Sequence, residues 1–257
     1  MTALLKDTIF RVIDTETTSR EPPLAKVCEV AFVDVDFEGN VHNRFESLCN
    51  PGVLIPPDAS AVHHIVDEDV VGKPPVDDLL DLLAAEVFVA HSAEYDQAVL
   101  GLEGVWVCTH RLAKHLWPEI RNHSNQEVRY TLKLKVDLLK DTPHHRATAD
   151  VAVTAAILKA ALPLALEKWP QVQTVGDLVA EIAKPCRLVV VPFKSAGGVR
   201  FVDADTGLLE WILEKQAGGE DVVHTARLVL QERYRSGTAY EDDEELEEEG
   251  EPTGDLF

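Results

Sequence analysis

The stretch Thr8-Ile9-Phe10-Arg11-Val12-Ile13-Asp14-Thr15-Glu16 ends a run of β-branched and aromatic residues with two acids. Such a run predicts a buried β-strand. Alternate residues of a strand point to the same face, so the carboxylates of Asp14 and Glu16 are expected to lie side by side. Neighbouring carboxylates repel each other unless a cation lies between them, and all-oxygen ligands favour Mg²⁺ or Mn²⁺. This stretch therefore predicts both the first strand of a sheet and part of a metal site.

Two later segments carry residues of the same kind. Asp96 ends the segment Ala90-His91-Ser92-Ala93-Glu94-Tyr95-Asp96, where a helix is expected to follow a short buried strand. His145 and Asp150 share a third segment, with Asp150 on the first turn of a long expected helix. A histidine beside carboxylates can accept the proton of an attacking water. Taken singly, these residues also suit surface charge, helix caps or first-turn acids. Their joint occurrence predicts one site.

The N-terminal part of the chain predicts an α/β fold. Strands are expected over Cys28–Asp36 and Val41–Cys49, so the first three strands should form an antiparallel meander. Strands and helices then alternate, and a long helix is expected over Ala147–Leu162, ended by Pro163. A meander followed by this alternation predicts a mixed sheet flanked by helices.

The C-terminal part predicts a second, smaller unit of α+β type. Two strand patterns, Arg187–Pro192 and Val199–Val202, precede the helical patterns Leu208–Glu214 and Val222–Tyr234. The last residues are acidic and of low complexity, and they bury too little apolar surface to fold alone. The expected boundaries are a large domain at 1–165, a linker helix at 166–184, a small module at 185–236 and a disordered acidic tail at 237–257.

Net charge argues against attraction of the whole protein to nucleic acid. The chain of 257 residues has a formal charge of −21, of which ten acids in residues 241–257 supply 10, leaving −11 on the first 240 residues. Between Arg111 and Arg146, however, the sequence contains eight Lys and Arg residues and only four acids. This segment suits either a solvated helical surface or a phosphate-binding wall, and its position before His145 favours the wall.

The chain is expected to act in the cytoplasm. No apolar run approaches the roughly 20 residues of a membrane helix. The first seven residues lack the basic-then-apolar order of a signal peptide. The four cysteines contain no Cys-x-x-Cys pair, and we expect them to be reduced thiols.

The acidic segments resemble the three motifs of the DEDDh 3′–5′ exonucleases, a family of ribonuclease-H-like fold that includes polymerase proofreading subunits, ribonuclease T and exodeoxyribonuclease X. The resemblance extends over about residues 8–162 and is greatest to exodeoxyribonuclease X. Val62-His63-His64-Ile65 resembles the family's His-Gly-Ile segment. Two positions depart from the family pattern, because Ser92 replaces the usual Asn and His64 replaces the usual Gly.

The resemblance implies a two-metal hydrolysis that uses Mg²⁺ or Mn²⁺. Asp14 would bridge both ions, Glu16 and Asp150 would complete one metal site, and Asp96 would hold the second ion. His145 would take the proton from the attacking water, and the product would be a nucleoside 5′-monophosphate. The substrate would be single-stranded or frayed DNA ends in repair or replication, with RNA ends as a close alternative. A non-catalytic module that recruits replication or repair proteins is the alternative of another class.

Residues around the motifs are expected to contact the terminal nucleotide. These candidate substrate-binding residues are Thr15, Thr17, Thr18, His91, Ser92, Tyr95 and Arg146.

The end of the chain suggests a partner. Thr253-Gly254-Asp255-Leu256-Phe257 is similar to the short peptides with which bacterial replication proteins bind the sliding clamp, and to the tails of single-strand-binding proteins. Asp255, Leu256 and Phe257 are the candidate partner-binding residues. A purely solubilising tail, or a tail that covers the basic wall, are the alternatives.

Overall fold

The computed structural model describes residues 3–136 and 146–237, and the structural statements below concern these residues. His145 and the predicted docking residues Asp255, Leu256 and Phe257 lie outside them. The chain divides into two compact units, residues 1–184 and 185–257, and each unit is described by itself.

The first unit is built on a five-stranded sheet with the order β3-β2-β1-β4-β5. Strands β1, β2 and β3 pair antiparallel, whereas β4 and β5 run parallel to β1. The predicted mixed sheet with an initial meander is therefore confirmed. The strands are β1 (Phe10–Thr17), β2 (Val27–Val35), β3 (Val41–Leu48), β4 (Val87–Ala90) and β5 (Val105–Cys108).

Helices flank the sheet and supply most of the remaining structure. In the first unit they are α1 (Pro57–His63), α2 (Asp67–Val70), α3 (Leu80–Leu83), α4 (Ala93–Leu100), α5 (Thr109–Leu116), α6 (Asn125–Thr131), α7 (Ala147–Lys168) and α8 (Val175–Ile182). In the second unit they are α9 (Thr206–Lys215) and α10 (Glu220–Ser236).

Strands β1 and β2 are buried because both faces of the sheet are covered. Val12 points into a core that α7 forms on one face, and its neighbour Ile13 points into a second core on the other face. Every residue of β2 is buried, whereas the edge strand β3 is largely exposed. The alternation of side chains along β1 thus serves two cores at once.

Helix α7 continues through Pro163 to Lys168, so the prediction that Pro163 ends it is wrong. Proline removes one helical hydrogen bond. Leu162 and Ala165, on either side of it, are buried in the main core, and this packing keeps the helix continuous. By length and composition alone α7 is also apolar enough to cross a membrane, yet it packs on β1 and β2 like the core helix of a globular domain.

The segment expected to be a linker helix contains the end of α7 and the whole of α8. Helix α8 packs against β5 and α5, inside the first unit. The arginine at position 111 fastens it by donating to the carbonyl oxygens of Ile182 at 2.7 Å and Ala183 at 2.9 Å. These contacts tie the end of α8 to the rest of the first unit.

The second unit has its own core, formed mainly by Leu188, Val191, Phe201, Leu209 and Val229. Its two expected strands meet only at an isolated bridge between residues 190 and 200. Proline at position 192 has no N–H to continue the ladder, and the turn that follows contains a glycine in the left-handed region. The unit is therefore mainly helical within the described residues.

Candidate active site

Three of the predicted acids meet at one edge of the sheet. Asp14 and Glu16 lie near the end of β1, and Asp150 lies on the first turn of α7. Carboxylate oxygens of these three residues lie within 4.8 Å of one another. The carboxyl ends of the parallel strands β1 and β4 meet at this edge, which is where open α/β sheets commonly bind ligands.

Asp96 lies behind this group, on the first turn of α4 directly after β4. It is buried, and its Oδ1 accepts a hydrogen bond of 2.9 Å from the hydroxyl of Thr15. Thr15 stands between Asp14 and Glu16 on β1, so the same strand end presents two carboxylates and orients a third. Among neighbouring charges, Asp96 is the one that most raises the pKa of Asp14.

The cluster is electrostatically costly without a counter-charge. Burial and then the neighbouring carboxylates raise the pKa of Asp14 well above its usual range. Burial, followed by the charge of Asp150, raises the pKa of Glu16 to about 8, and burial raises that of Asp96 to about 7. Divalent cations relieve this repulsion, and the donor set contains only oxygens. The residues present therefore fit a hard divalent metal.

A fourth acid, Glu29 on β2, lies directly opposite Glu16 in the strand register. Its carboxylate accepts hydrogen bonds from the Arg146 guanidinium at 3.0 and 3.1 Å, with a further short contact, and from the N–H of Ala147 at 2.9 Å. Glu29 thus fixes the beginning of α7, one turn before Asp150. Sequence reasoning missed Glu29, although an acid inside the apolar run of β2 was a signal.

The predicted contact of Arg146 with substrate stays a prediction. Its guanidinium is directed at Glu29, which raises the pKa of Arg146. Arg146 directly follows His145, so this ion pair also anchors one end of the segment that carries the expected base.

Helix α6 supports Asp150 from the other side. The side-chain amides of Asn125 and Gln126 donate to Asp150 Oδ1 at 3.3 and 3.2 Å, and Asn125 also donates to the Asp150 carbonyl at 3.2 Å. Sequence reasoning missed both residues, since an Asn-Gln pair just after a helix-capping serine carries no distinctive signal.

A cavity of about 940 Å³ adjoins the acidic cluster at Glu16, which lines it. Five of the predicted substrate residues line it, namely Thr15, Thr17, Thr18, Ser92 and Tyr95. The Thr17 hydroxyl donates to the carbonyl of Ser19 at 2.8 Å, and the Tyr95 hydroxyl donates to the same carbonyl at 2.6 Å. These shared contacts hold one wall of the cavity rigid. Apolar side chains, including those of Leu24, Val53, Leu54 and Val62, also line the cavity.

His91 is directed into the fold instead. Its Nδ1 lies 3.0 Å from the hydroxyl of Thr109, and its Nε2 lies 2.8 Å from the carbonyl of His123. Burial lowers the pKa of His91 to about 4, so the ring is neutral at physiological pH. Because both ring nitrogens are engaged, the geometry assigns His91 to packing behind the site, and its predicted contact with substrate has no structural support.

The segment from 62 to 65 braces the end of β1. His63 is buried, its Nδ1 accepts the N–H of Ile65 at 3.1 Å, and the ring is hydrogen bonded to the backbone of Thr17. His64 ends α1 with a left-handed backbone, at φ 61°. The left-handed region favours glycine, which explains why this position is the one where the family pattern has Gly.

Comparisons with known proteins agree with this geometry. The exonuclease family model matches residues 12–158. Exodeoxyribonuclease 10 of Escherichia coli K12 is 38% identical over 152 residues, which cover 58% of this chain and 67% of that protein. DNA polymerase III subunit epsilon of Treponema pallidum is 30% identical over 161 residues, covering 56% of this chain and 72% of that protein.

The solved structures that this chain resembles are also those of exonucleases. Exonuclease X in complex with 5′ overhanging duplex DNA matches with a TM-score of 0.57 and 33% identity, over 68% of this chain and 99% of that chain. Exonuclease I matches with a TM-score of 0.51 and 17% identity, over 64% of this chain and 42% of that chain, which supports the fold alone. The family match spans over half of the chain and contains all four acids of the site. The chain therefore belongs to the exonuclease family and is a 3′–5′ exonuclease.

Proposed function

We propose that this exonuclease releases nucleoside 5′-monophosphates from single-stranded or frayed 3′ ends of DNA, using two Mg²⁺ or Mn²⁺ ions. The observation that carries the proposal is the convergence of Asp14, Glu16 and Asp150 within 4.8 Å beside a cavity large enough for a nucleotide. DNA is the substrate class named for exodeoxyribonuclease 10 and for the exonuclease X complex.

The carboxylates would share the metal ions. Asp14, central among the acids, would bridge both ions, with Glu16 and Asp150 on one and Asp96 behind Asp14 on the other. Bound divalent cations would polarise the scissile phosphate and stabilise charge on the attacking and leaving oxygens. The protein's own part would be to hold these carboxylates in place. Thr15 donates to Asp96, Gln126 donates to Asp150, and the pair of Glu29 with Arg146 fixes the beginning of α7, which carries Asp150.

His145 would accept the proton of the attacking water. A neutral imidazole is suited to this role near neutral pH. The next residue, Arg146, is paired with Glu29, so the residue that directly follows the proposed base is fixed by an ion pair.

The cavity would hold the terminal nucleotide. Threonine hydroxyls and backbone on one wall suit the sugar and phosphate, and the apolar wall of Leu24, Val53 and Leu54 suits the face of a base. Apolar contact with a base face does not read the hydrogen-bonding edges that distinguish the bases. Hydrolysis is therefore expected to depend little on sequence.

The decisive experiment uses 5′-labelled single-stranded DNA, duplex DNA with a recessed 3′ end, and RNA of the same sequence. Each is incubated with Mg²⁺, Mn²⁺ or chelator, and wild type is compared with Asp150→Asn. The proposal expects a metal-dependent ladder that shortens DNA from the 3′ end and is absent in the variant. Faster loss of RNA would favour the exoribonuclease alternative. Intact DNA and RNA after incubation with folded wild type would favour the recruitment alternative.

The proposal also assigns separate roles to the domains of the chain and to its C-terminal tail. Residues 1–165 would carry the chemistry, and residues 185–236 would have a separate accessory role, in the setting of cytoplasmic DNA repair or replication.

Asp255, Leu256 and Phe257 would bind a sliding clamp or a partner of single-strand-binding proteins. Removing residues 241–257 should abolish clamp binding in a pull-down and leave hydrolysis of short DNA unchanged. Tighter DNA binding after this deletion would support a tail that covers the basic wall.

A further inference from the structure

The Asp150 carboxylate receives two amide hydrogen bonds from helix α6, from residues outside the acidic cluster. We propose that Gln126 is a positioning residue that fixes the Asp150 carboxylate for metal binding, and that Arg129 sets the orientation of the Gln126 amide. This inference rests on the proposed metal-dependent function and names a further residue of that site.

Two hydrogen-bond donors restrict the rotation of the Asp150 side chain. Asn125 Nδ2 and Gln126 Nε2 both donate to the same oxygen, Oδ1, at 3.3 and 3.2 Å. Two donors on one oxygen restrict rotation of the carboxylate about its terminal torsion. In this restricted position, the side chain brings an oxygen within 4.8 Å of Asp14 and Glu16. Fixing a ligand in advance reduces the entropy that metal binding would otherwise cost.

Hydrogen bonds to the oxygen ends of both amides set their orientation. A carboxylate only accepts hydrogen bonds and a guanidinium only donates them, whereas an amide does both at opposite ends. Arg129 Nη1 donates to Gln126 Oε1 at 3.3 Å, which leaves the NH₂ end of Gln126 directed at Asp150. The Thr154 hydroxyl engages Asn125 Oδ1 at 3.5 Å, a longer contact in the same sense. Each amide therefore has its oxygen end occupied on the side away from Asp150.

Position 126 needs a side chain that both donates and accepts hydrogen bonds. Glutamate there would place a second negative charge next to Asp150, and lysine would have no acceptor for Arg129. Gln126 is half-buried between α6 and α7, which pack against each other. Only an amide of this length satisfies the arginine on one side and the carboxylate on the other.

The arrangement also links the metal site to the basic segment of the chain. Arg129 belongs to the segment from Arg111 to Arg146 that the sequence suggests as a phosphate-binding wall. Helix α6 carries both Arg129 of this segment and Gln126, which supports Asp150. It would therefore hold the phosphate-binding wall and the metal site in a fixed position relative to each other. Gln126 itself is assigned no contact with substrate, so its effect should appear in metal affinity and kcat more than in KM.

The test titrates the full-length protein with Mn²⁺ and follows the melting temperature, which needs no turnover. Gln126→Met keeps the length and volume of the side chain but removes both hydrogen bonds. We expect the Mn²⁺ concentration for half of the melting shift to rise about tenfold, the size typical of lost support for a metal ligand. In DNA hydrolysis, kcat should fall and KM should change less than about twofold.

Three controls make the result specific. Gln231→Met changes an exposed helical glutamine in the second unit and should match wild type. Melting temperatures in chelator show whether each variant is folded. Arg129→Met should raise the half-saturating Mn²⁺ concentration in the same direction, and Arg129→Lys, which keeps a donor, should restore much of the affinity.

Unchanged Mn²⁺ half-saturation and kcat in a folded Gln126→Met would overturn the proposal. A normal response in Arg129→Met beside a weakened Gln126→Met would overturn the role of Arg129. Failure of the underlying function would look different, because wild type itself would then show no melting shift with Mn²⁺ and no hydrolysis.

Discussion

Glu29 and Arg146 form a two-pronged ion pair that joins the beginning of β2 to the residue preceding α7, across 117 positions of sequence. Glu29 is 3% exposed and lies opposite Glu16, so a buried carboxylate at the edge of the acidic cluster is paired with an arginine. The pair gives Glu29 a structural partner that the acids proposed to bind metal do not share.

This relationship predicts a coupled loss of stability and activity. Glu29→Gln leaves the half-buried Arg146 charge without its partner, and we expect roughly 2–3 kcal/mol of stability to be lost. Arg146→Gln should lose a similar amount, and kcat should fall in both because the segment bearing His145 loses its anchor. Urea denaturation of both single variants and the double variant measures the coupling. Glu38→Gln, in the exposed turn between β2 and β3, is the control, and strictly additive losses would contradict a specific pair.

The raised pKa of Glu16 predicts that metal-free protein becomes less stable as pH rises. The folded-state pKa of about 8 exceeds the usual value near 4.5, so ionisation favours unfolding across that interval. Stability from this group is fully present at low pH and is lost as pH approaches 8. Glu16→Gln should melt higher than wild type at pH 8 in chelator while losing activity. Equal melting curves of the two proteins between pH 5 and pH 9 would count against the clustered site.

The assignment of the base predicts unequal effects at adjacent histidines. His145→Ala should reduce kcat by at least about a hundredfold, the usual contribution of general base catalysis, whereas His144→Ala should have a small effect. Rates of 3′ nucleotide release at saturating DNA and Mg²⁺ measure both. A larger loss in His144→Ala would reverse the assignment.

The left-handed backbone of His64 predicts a stabilising substitution. His64→Gly relieves the steric cost of that conformation, offset in part by the greater freedom of glycine in the unfolded chain, for a net gain of about 0.5–1 kcal/mol. Ala61→Gly, at an exposed position of the same helix, should lose about 1 kcal/mol. Thermal denaturation of the two variants compares them directly. A destabilised His64→Gly would indicate that the His64 side chain itself contributes to the fold.

The apolar wall of the cavity predicts a substrate effect at Leu54. This side chain is 80% exposed, so Leu54→Ser should leave stability almost unchanged. Loss of its contact with a base should raise KM for DNA about threefold to tenfold, which corresponds to roughly 1 kcal/mol of apolar burial. Val71→Ser, at a neighbouring valine that is 75% exposed, is the matched control. Identical KM values for the two variants would place the base elsewhere.

The sheet and the acidic set could be predicted because their signals are local. The apolar run before Asp14 predicts a buried strand. Each of the four acids lies at the end of an expected strand or at the start of an expected helix, and both patterns can be recognised in the sequence. The contacts of Glu29 and Gln126 could not be read in this way, since each depends on a partner that only folding brings near. The continuity of α7 through Pro163 was missed because tertiary burial outweighed the local preference. The substrate contact of His91 stays a prediction, because the sequence does not show that both ring nitrogens have partners inside the fold.

The order of the strands has a consequence for how the enzyme fluctuates. Strand β1 is hydrogen bonded on both sides, to β2 and to β4, whereas β3 and β5 each have one neighbouring strand. Amide exchange should therefore be slowest along β1 and faster at the two margins, because opening proceeds from the least supported strands. The backbone that carries Asp14 and Glu16 would remain ordered through transient openings that release the edges, so the ligand geometry should outlast partial unfolding of the domain.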